Sequence, residues 1–182
     1  MVKTMGIMER ITQMITTLSS PSRTQESAVA TKTLGVSEYL TEKSILFFPA
    51  RLDKSSIFKD LIDSMDLDDP ELALKEVLYR ELWGQTMIAP GLAIPHARFP
   101  DLSRISAAFG ICQKGIADPK ATEKRPSIYL LFVGPSHDVR QHLAFLAGAS
   151  SLFQTKGLAE RLLKLATPTS VLAELRAAEE AL

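Results

Sequence analysis

Residues 127–134 read SIYLLFVG. Positions 128–133 are apolar without a break, so the polar alternation of a strand with one wet face is missing. A strand of this kind is buried on both sides, and the sheet that contains it must be covered on each face. Residues 127–134 are therefore expected to form a central strand. This longest apolar run of the chain falls far short of the roughly 20 residues that cross a bilayer. A soluble protein with no membrane insertion is expected.

Working outward, SILFFP (44–49), LAIP (92–95) and ISAAFGIC (105–112) supply further strands. KSSIFKDLIDSM (54–65) carries apolar residues at 57, 58, 61, 62 and 65, which is one helical face. A helix over 70–83 is marked at both ends. Asp69 suits its N-cap, Pro70 its first position, Glu71 the positive end of its dipole, and Gly84 follows the last turn. Ser136 is expected to begin a helix over 137–154, and GLAERLLKLA (157–166) and TSVLAELRAAEEAL (169–182) complete a helical C-terminus. The pattern predicts an α/β fold, a mixed β-sheet sandwiched by helices on both faces.

With 182 residues and 46% hydrophobic content, the chain can bury one substantial core. Composition changes near residue 35. SSPSRTQESAVATKT (19–33) is polar and without apolar period, so residues 1–35 are expected as a flexible tail containing a weak amphipathic helix at 5–18. A single domain then spans 36–182. Lys+Arg and Asp+Glu are both 21, and the pI is about 6.8, which leaves no basic excess to hold nucleic acid or anionic lipid. The N-terminus has charges and threonines where a signal peptide needs an apolar block, and the single cysteine, Cys112, fits a reducing cytoplasm. Cys112 itself reads as a small buried strand residue.

The helix at 70–83 holds an anomaly. Leu74, Val77, Leu78 and Leu82 define its apolar stripe, and Glu81 projects onto the middle of it. A carboxylate there needs backbone N–H groups or a nearby cation, because burying one without partners costs several kcal/mol. The competing reading is an Arg80–Glu81 pair at the surface end of the helix.

That helix leads into YRELWGQTMIAPGLAIPHAR (79–98), and RQHLAFLAGASSLF (140–153) follows the central strand. The two segments resemble the enzyme IIA domains of the mannitol/fructose/nitrogen-regulatory (type 2) class of the bacterial phosphoenolpyruvate-dependent phosphotransferase system. The resemblance lies in Arg80-Glu81, Thr86, the Gly91, Ala93, Pro95-His96 element, and His142-Leu143, and it covers about 36–178. It implies a phosphocarrier in which His96 accepts a phosphoryl group from the histidine-containing phosphocarrier protein. An imidazole is a nucleophile at neutral pH without a dedicated base, and the transfer itself needs in-line positioning and preorganised donors. On this reading Arg80 clamps phosphoryl oxygens with its planar fork, and Thr86 donates a hydroxyl hydrogen bond. His142 assists beside His96, Glu81 braces the loop carrying Thr86, and Pro95 limits the backbone freedom of the nucleophile.

Other readings stand beside these. His142 could fill the core, placed on the edge of a stripe formed by Val139, Leu143, Leu146 and Phe153. His137 reads as solvated, and Met5, Met8 and Met14 as packing residues. The three histidines lack zinc-ligand spacing and no Gly-rich nucleotide cradle is present, so no metal and no cofactor are expected beyond the phosphoryl adduct. The sequence departs from its relatives in MIAP (87–90), where many have a Gly-rich turn, and in the charged loop ADPKATEKRPS (117–127). The expected acceptor is a separate cysteine-bearing transport component or, in a nitrogen-type module, a regulatory partner, towards which the free-standing domain and unusual loop tilt the balance. The alternative from another class is a hydrolase using His96 and His142 as acid and base. It lacks paired carboxylates and a nucleophile-base-orienter set.

Overall fold

The computed structural model describes residues 35–48, 53–84, 86–89, 91–112 and 127–182. The expected tail helix at 5–18, Pro90 and nearly all of the 117–127 loop lie outside the described residues. Two short 3-10 turns (Val36–Tyr39 and Glu42–Ser44) lead into β1 (Ile45–Phe47), α1 (Lys54–Asp63) and α2 (Pro70–Leu82). Four strands follow: β2 (Met87–Ala89), β3 (Leu92–Ala93), β4 (His96–Phe99) and β5 (Ser106–Ile111). After them come β6 (Ile128–Pro135), α3 (Val139–Phe153), α4 (Leu158–Leu162) and α5 (Pro168–Glu180).

Every residue of β6 is buried, and β6 is the middle of a six-stranded mixed sheet. It pairs antiparallel with β5 on one side and parallel with β3 and β4 on the other. Beyond these, β1 runs parallel to β5 and β2 antiparallel to β3. Period-2 alternation sorts β6 into two cores. Ile128, Leu130 and Phe132 pack with Phe145, Ala149, Leu152 and Leu175 of α3 and α5. Tyr129, Leu131 and Val133 pack with Phe58, Leu61, Ile62 and Val77 of α1 and α2. The expected mixed sheet covered on both faces is the observed fold.

Several local expectations are corrected. The strand LAIP does not stop at Pro95. Leu92 faces Ile128 and His96 faces Phe132, a constant offset, so β3 and β4 form one line interrupted where Pro95 lacks an N–H to give the ladder. Phe132 N–H still donates to the Pro95 carbonyl, with an N···O distance of 3.0 Å. MIAP contains β2, joined to β3 through Gly91 at φ 85°, a left-handed conformation that favours glycine. Asp138, not Ser136, caps α3, its carboxylate accepting from Gln141 N.

Both stripes on the flanking helices also sit differently. On α2 the buried line is Ala73, Val77 and the side chain of Glu81, each four residues apart. Leu82 lies about 100° further round and is 81% exposed. On α3 the buried line is His142, Phe145, Ala149 and Leu152, while Val139 and Leu143 face outward. His142 thus occupies the stripe itself and not its edge.

Candidate functional site

His96 opens β4 at the point where the line of β3 resumes after Pro95, and Pro95 is buried beneath it. Its ring stacks on Phe132, its partner across the ladder, with centroids 5.4 Å apart and planes 22° apart. Nδ1 lies 2.9 Å from the Ile94 carbonyl oxygen. A carbonyl only accepts, so Nδ1 carries the hydrogen and the neutral ring keeps its lone pair on Nε2. Burial lowers the pKa of His96 below its ordinary value; the Ile94 bond opposes this, Arg80 and Arg98 add to it, and Glu81 acts against it. The ring is therefore neutral at pH 7.

His142, on the buried line of α3, brings its ring to 5.2 Å from that of His96 and 5.0 Å from that of Phe132. Burial, then His96, Arg98 and Arg80, push its pKa down to about 4. Its buried Nδ1 has no hydrogen-bond partner among the described residues. His142 is buried, as the core reading expects, but its ring also faces the cleft.

Arg80 comes from the last turn of α2, where one guanidinium N–H closes onto the Gly84 carbonyl at 3.2 Å. It lines the same cleft as His96 and His142. Arg98 lines it too. No role was expected for Arg98, although the signal was available: residues two apart in a strand share a face, and Arg98 follows His96 at that spacing in IPHAR.

Glu81 is held as its inward position required, but by a cation the sequence reading missed. Its Oε1 accepts from Thr86 N at 2.9 Å and from the Thr86 hydroxyl, and its Oε2 pairs with Lys54 Nζ from the start of α1. The expectation for Thr86 is corrected accordingly. Its hydroxyl proton is directed at Glu81, and Thr86 is buried away from the cleft. Its carbonyl accepts from Ile94 N at 2.9 Å, which ties the loop to the strand that carries His96.

Around the cleft stands an exposed apolar rim. Tyr79 and Trp83 meet edge to face at 6.0 Å, and Val139 and Leu143 project from α3 opposite them. His137 is exposed and Cys112 is buried. Among the described residues no three His, Cys, Asp or Glu side chains converge as metal ligands, and no helix is long and apolar enough to cross a membrane. A neutral imidazole in a cleft also lined by two arginines, beside a second imidazole, can take up and release an anionic electrophile.

Residues 38–178 match the family described as phosphoenolpyruvate-dependent sugar phosphotransferase system, EIIA 2. The chain belongs to this family, and it is a phosphocarrier component of that phosphotransferase system. It is 28% identical over 110 residues to the fructose-specific EIIA component of Haloferax volcanii, covering 60% of this chain and 71% of that one. Against the fructose-specific EIIABC component of Bacillus subtilis the identity is 22% over 142 residues, 75% of this chain but only 22% of that protein's length. The crystal structure of nitrogen regulatory protein IIA-Ntr from Neisseria meningitidis is similar in fold, with a TM-score of 0.67 at 21% identity, covering 77% of this chain and 98% of that one.

Proposed function

We propose that His96 is the phosphoryl acceptor and that Nε2 is the nucleophilic atom. The observation that carries this is the Nδ1–H···O=C bond to Ile94, which leaves the Nε2 lone pair available in a cleft lined by Arg80 and Arg98. The donor is the histidine-containing phosphocarrier protein. Nε2 attacks phosphorus, the phosphorus–nitrogen bond of the donor breaks, and its electron pair stays on the donor nitrogen. As the new bond forms, the His96 ring gains positive charge, which the Ile94 carbonyl stabilises through the retained Nδ1 proton. Arg80 and Arg98 offset charge on the equatorial oxygens, with Arg80's fork suited to two of them. His142 is neutral at pH 7, so it contributes a hydrogen bond and not a charge.

The onward step is attack by a thiolate on a separate cysteine-bearing transport component, with the bonding pair returning to Nε2. The names of the Haloferax volcanii and Bacillus subtilis relatives, both fructose-specific components, support uptake over a regulatory partner. A regulatory role predicts instead a partner whose binding responds to phosphorylation without receiving the group. Incubation with phosphoenolpyruvate, enzyme I and the phosphocarrier protein should give one acid-labile, base-stable phosphoryl group per chain. Label retained in His96→Ala refutes the assignment.

A further inference from the structure

Lys54 is the first residue of α1 and Glu81 stands in the last turn of α2. Each charge is at the wrong end of its helix. The N-terminus carries partial positive charge, which disfavours an ammonium, and the C-terminus carries partial negative charge, which disfavours a carboxylate. Capping does not explain Lys54 either, because Asp53 caps α1 alone, accepting from Ser56 N at 3.0 Å and from the Ser55 and Ser56 hydroxyls. The two misplaced charges meet each other: Lys54 Nζ pairs with Glu81 Oε2, and Glu81 is nearly enclosed, its side chain 6% exposed.

From this pair an unbroken set of polar links runs to the nucleophile. Glu81 Oε1 accepts from Thr86 N and Oγ1, the Thr86 carbonyl accepts from Ile94 N, and the Ile94 carbonyl accepts from His96 Nδ1. The backbone of Ile94 is the hinge of the arrangement, joining two successive peptide planes. Its N–H, in the Ala93–Ile94 peptide, is fixed by Thr86, and its C=O, in the next peptide, accepts from His96 Nδ1, so the backbone angles of Ile94 couple the Thr86 loop to the carbonyl that selects the tautomer of His96. With Lys54 removed, Glu81 is an unpaired buried carboxylate, which favours protonation or rotation toward water. Either change loosens its hold on Thr86.

We propose that Lys54 is a positioning residue for His96: acting through Glu81, Thr86 and the backbone of Ile94, it holds the imidazole in the tautomer with Nδ1 protonated and Nε2 bare. The consequence for transfer rate rests on reading His96 as the acceptor; the consequence for the ring does not. The test is nitrogen-15 NMR of labelled histidine at about pH 8, where the imidazole is neutral, together with phosphoryl uptake. In the unaltered chain His96 should be the Nδ1–H tautomer. Lys54→Met should give a tautomer mixture and uptake slower by roughly tenfold, and Lys54→Arg should restore both. Glu81→Gln, nearly equal in volume, tests the same link should Lys54→Met fail to fold, and should also mix the tautomers. An unmoved tautomer in either folded variant overturns the proposal, even with slowed uptake. Absence of label from His96 in the unaltered chain overturns the acceptor reading instead, and the tautomer result then decides the positioning role by itself.

Discussion

Replacing His142 with Gln should flatten the acid side of the protein's stability profile. In the folded chain His142 has a pKa of about 4, against an ordinary value of 6.5 for an exposed imidazole. Between these two values the unfolded chain binds a proton that the folded chain does not, so stability is complete above pH 6.5 and is lost as pH falls toward 4. The sign follows from the depressed folded value: a buried imidazole resists charging, and acid therefore favours unfolding. At pH 5 the difference in proton binding amounts to about 2 kcal/mol relative to pH 7, an upper figure for one site. His96 is shifted in the same direction and adds to the slope. Urea unfolding at pH 7 and pH 5 provides the measurement, read as the change in free energy between the two conditions. His142→Gln has no proton to gain, so its loss on acidification should be smaller than that of the unaltered chain by about 2 kcal/mol. Equal losses in the two proteins would show that His142 is not held neutral by its surroundings, and the reasoning from burial beside His96 would fall.

Two further outcomes test other parts of the structure. Arg80→Lys keeps the charge and loses the planar fork, so phosphoryl uptake should slow by roughly ten- to a hundredfold, or about 1.4–2.8 kcal/mol, in a rapid-quench assay; an unchanged rate returns Arg80 to a helix-closing role. Gly35→Ala places a methyl within 2.6 Å of the Glu179 carboxyl carbon, so Glu179 must leave Ser37, whose N and Oγ donate to it at 3.0 and 2.5 Å. Urea unfolding should report a loss of about 1–3 kcal/mol, and an unaltered midpoint would mean that this contact contributes nothing.

The layering of the fold was legible because burial on both faces leaves a direct mark on composition: β6 has no polar position to alternate. Helix α2 was equally plain, since Asp69 and Pro70 act locally and their effect does not depend on what the helix packs against. Strand ends were not legible. Pro95 looks like a stop in sequence, yet the partner strand continues past it and the backbone line continues with it. The orientation of α3 was misjudged for a related reason: apolar residues at a functional cleft stay exposed, so Val139 and Leu143 imitate a buried stripe. In the site, His96, Arg80 and His142 were found through the family resemblance, and Glu81 through its conflict with an apolar face. Lys54 left no comparable trace, because a lysine beside two serines at a helix start reads as a solvated charge until the distant carboxylate is located.

The constant pairing offset along β3, Pro95 and β4 makes alignment with β6 the device that delivers His96 to the cleft. Moving β4 by one position would turn the imidazole toward the α1–α2 layer and present Ala97 or Pro95 to the cleft in its place. A single inserted or deleted residue between Leu92 and His96 therefore turns the imidazole out of the cleft without altering any other side chain that lines it.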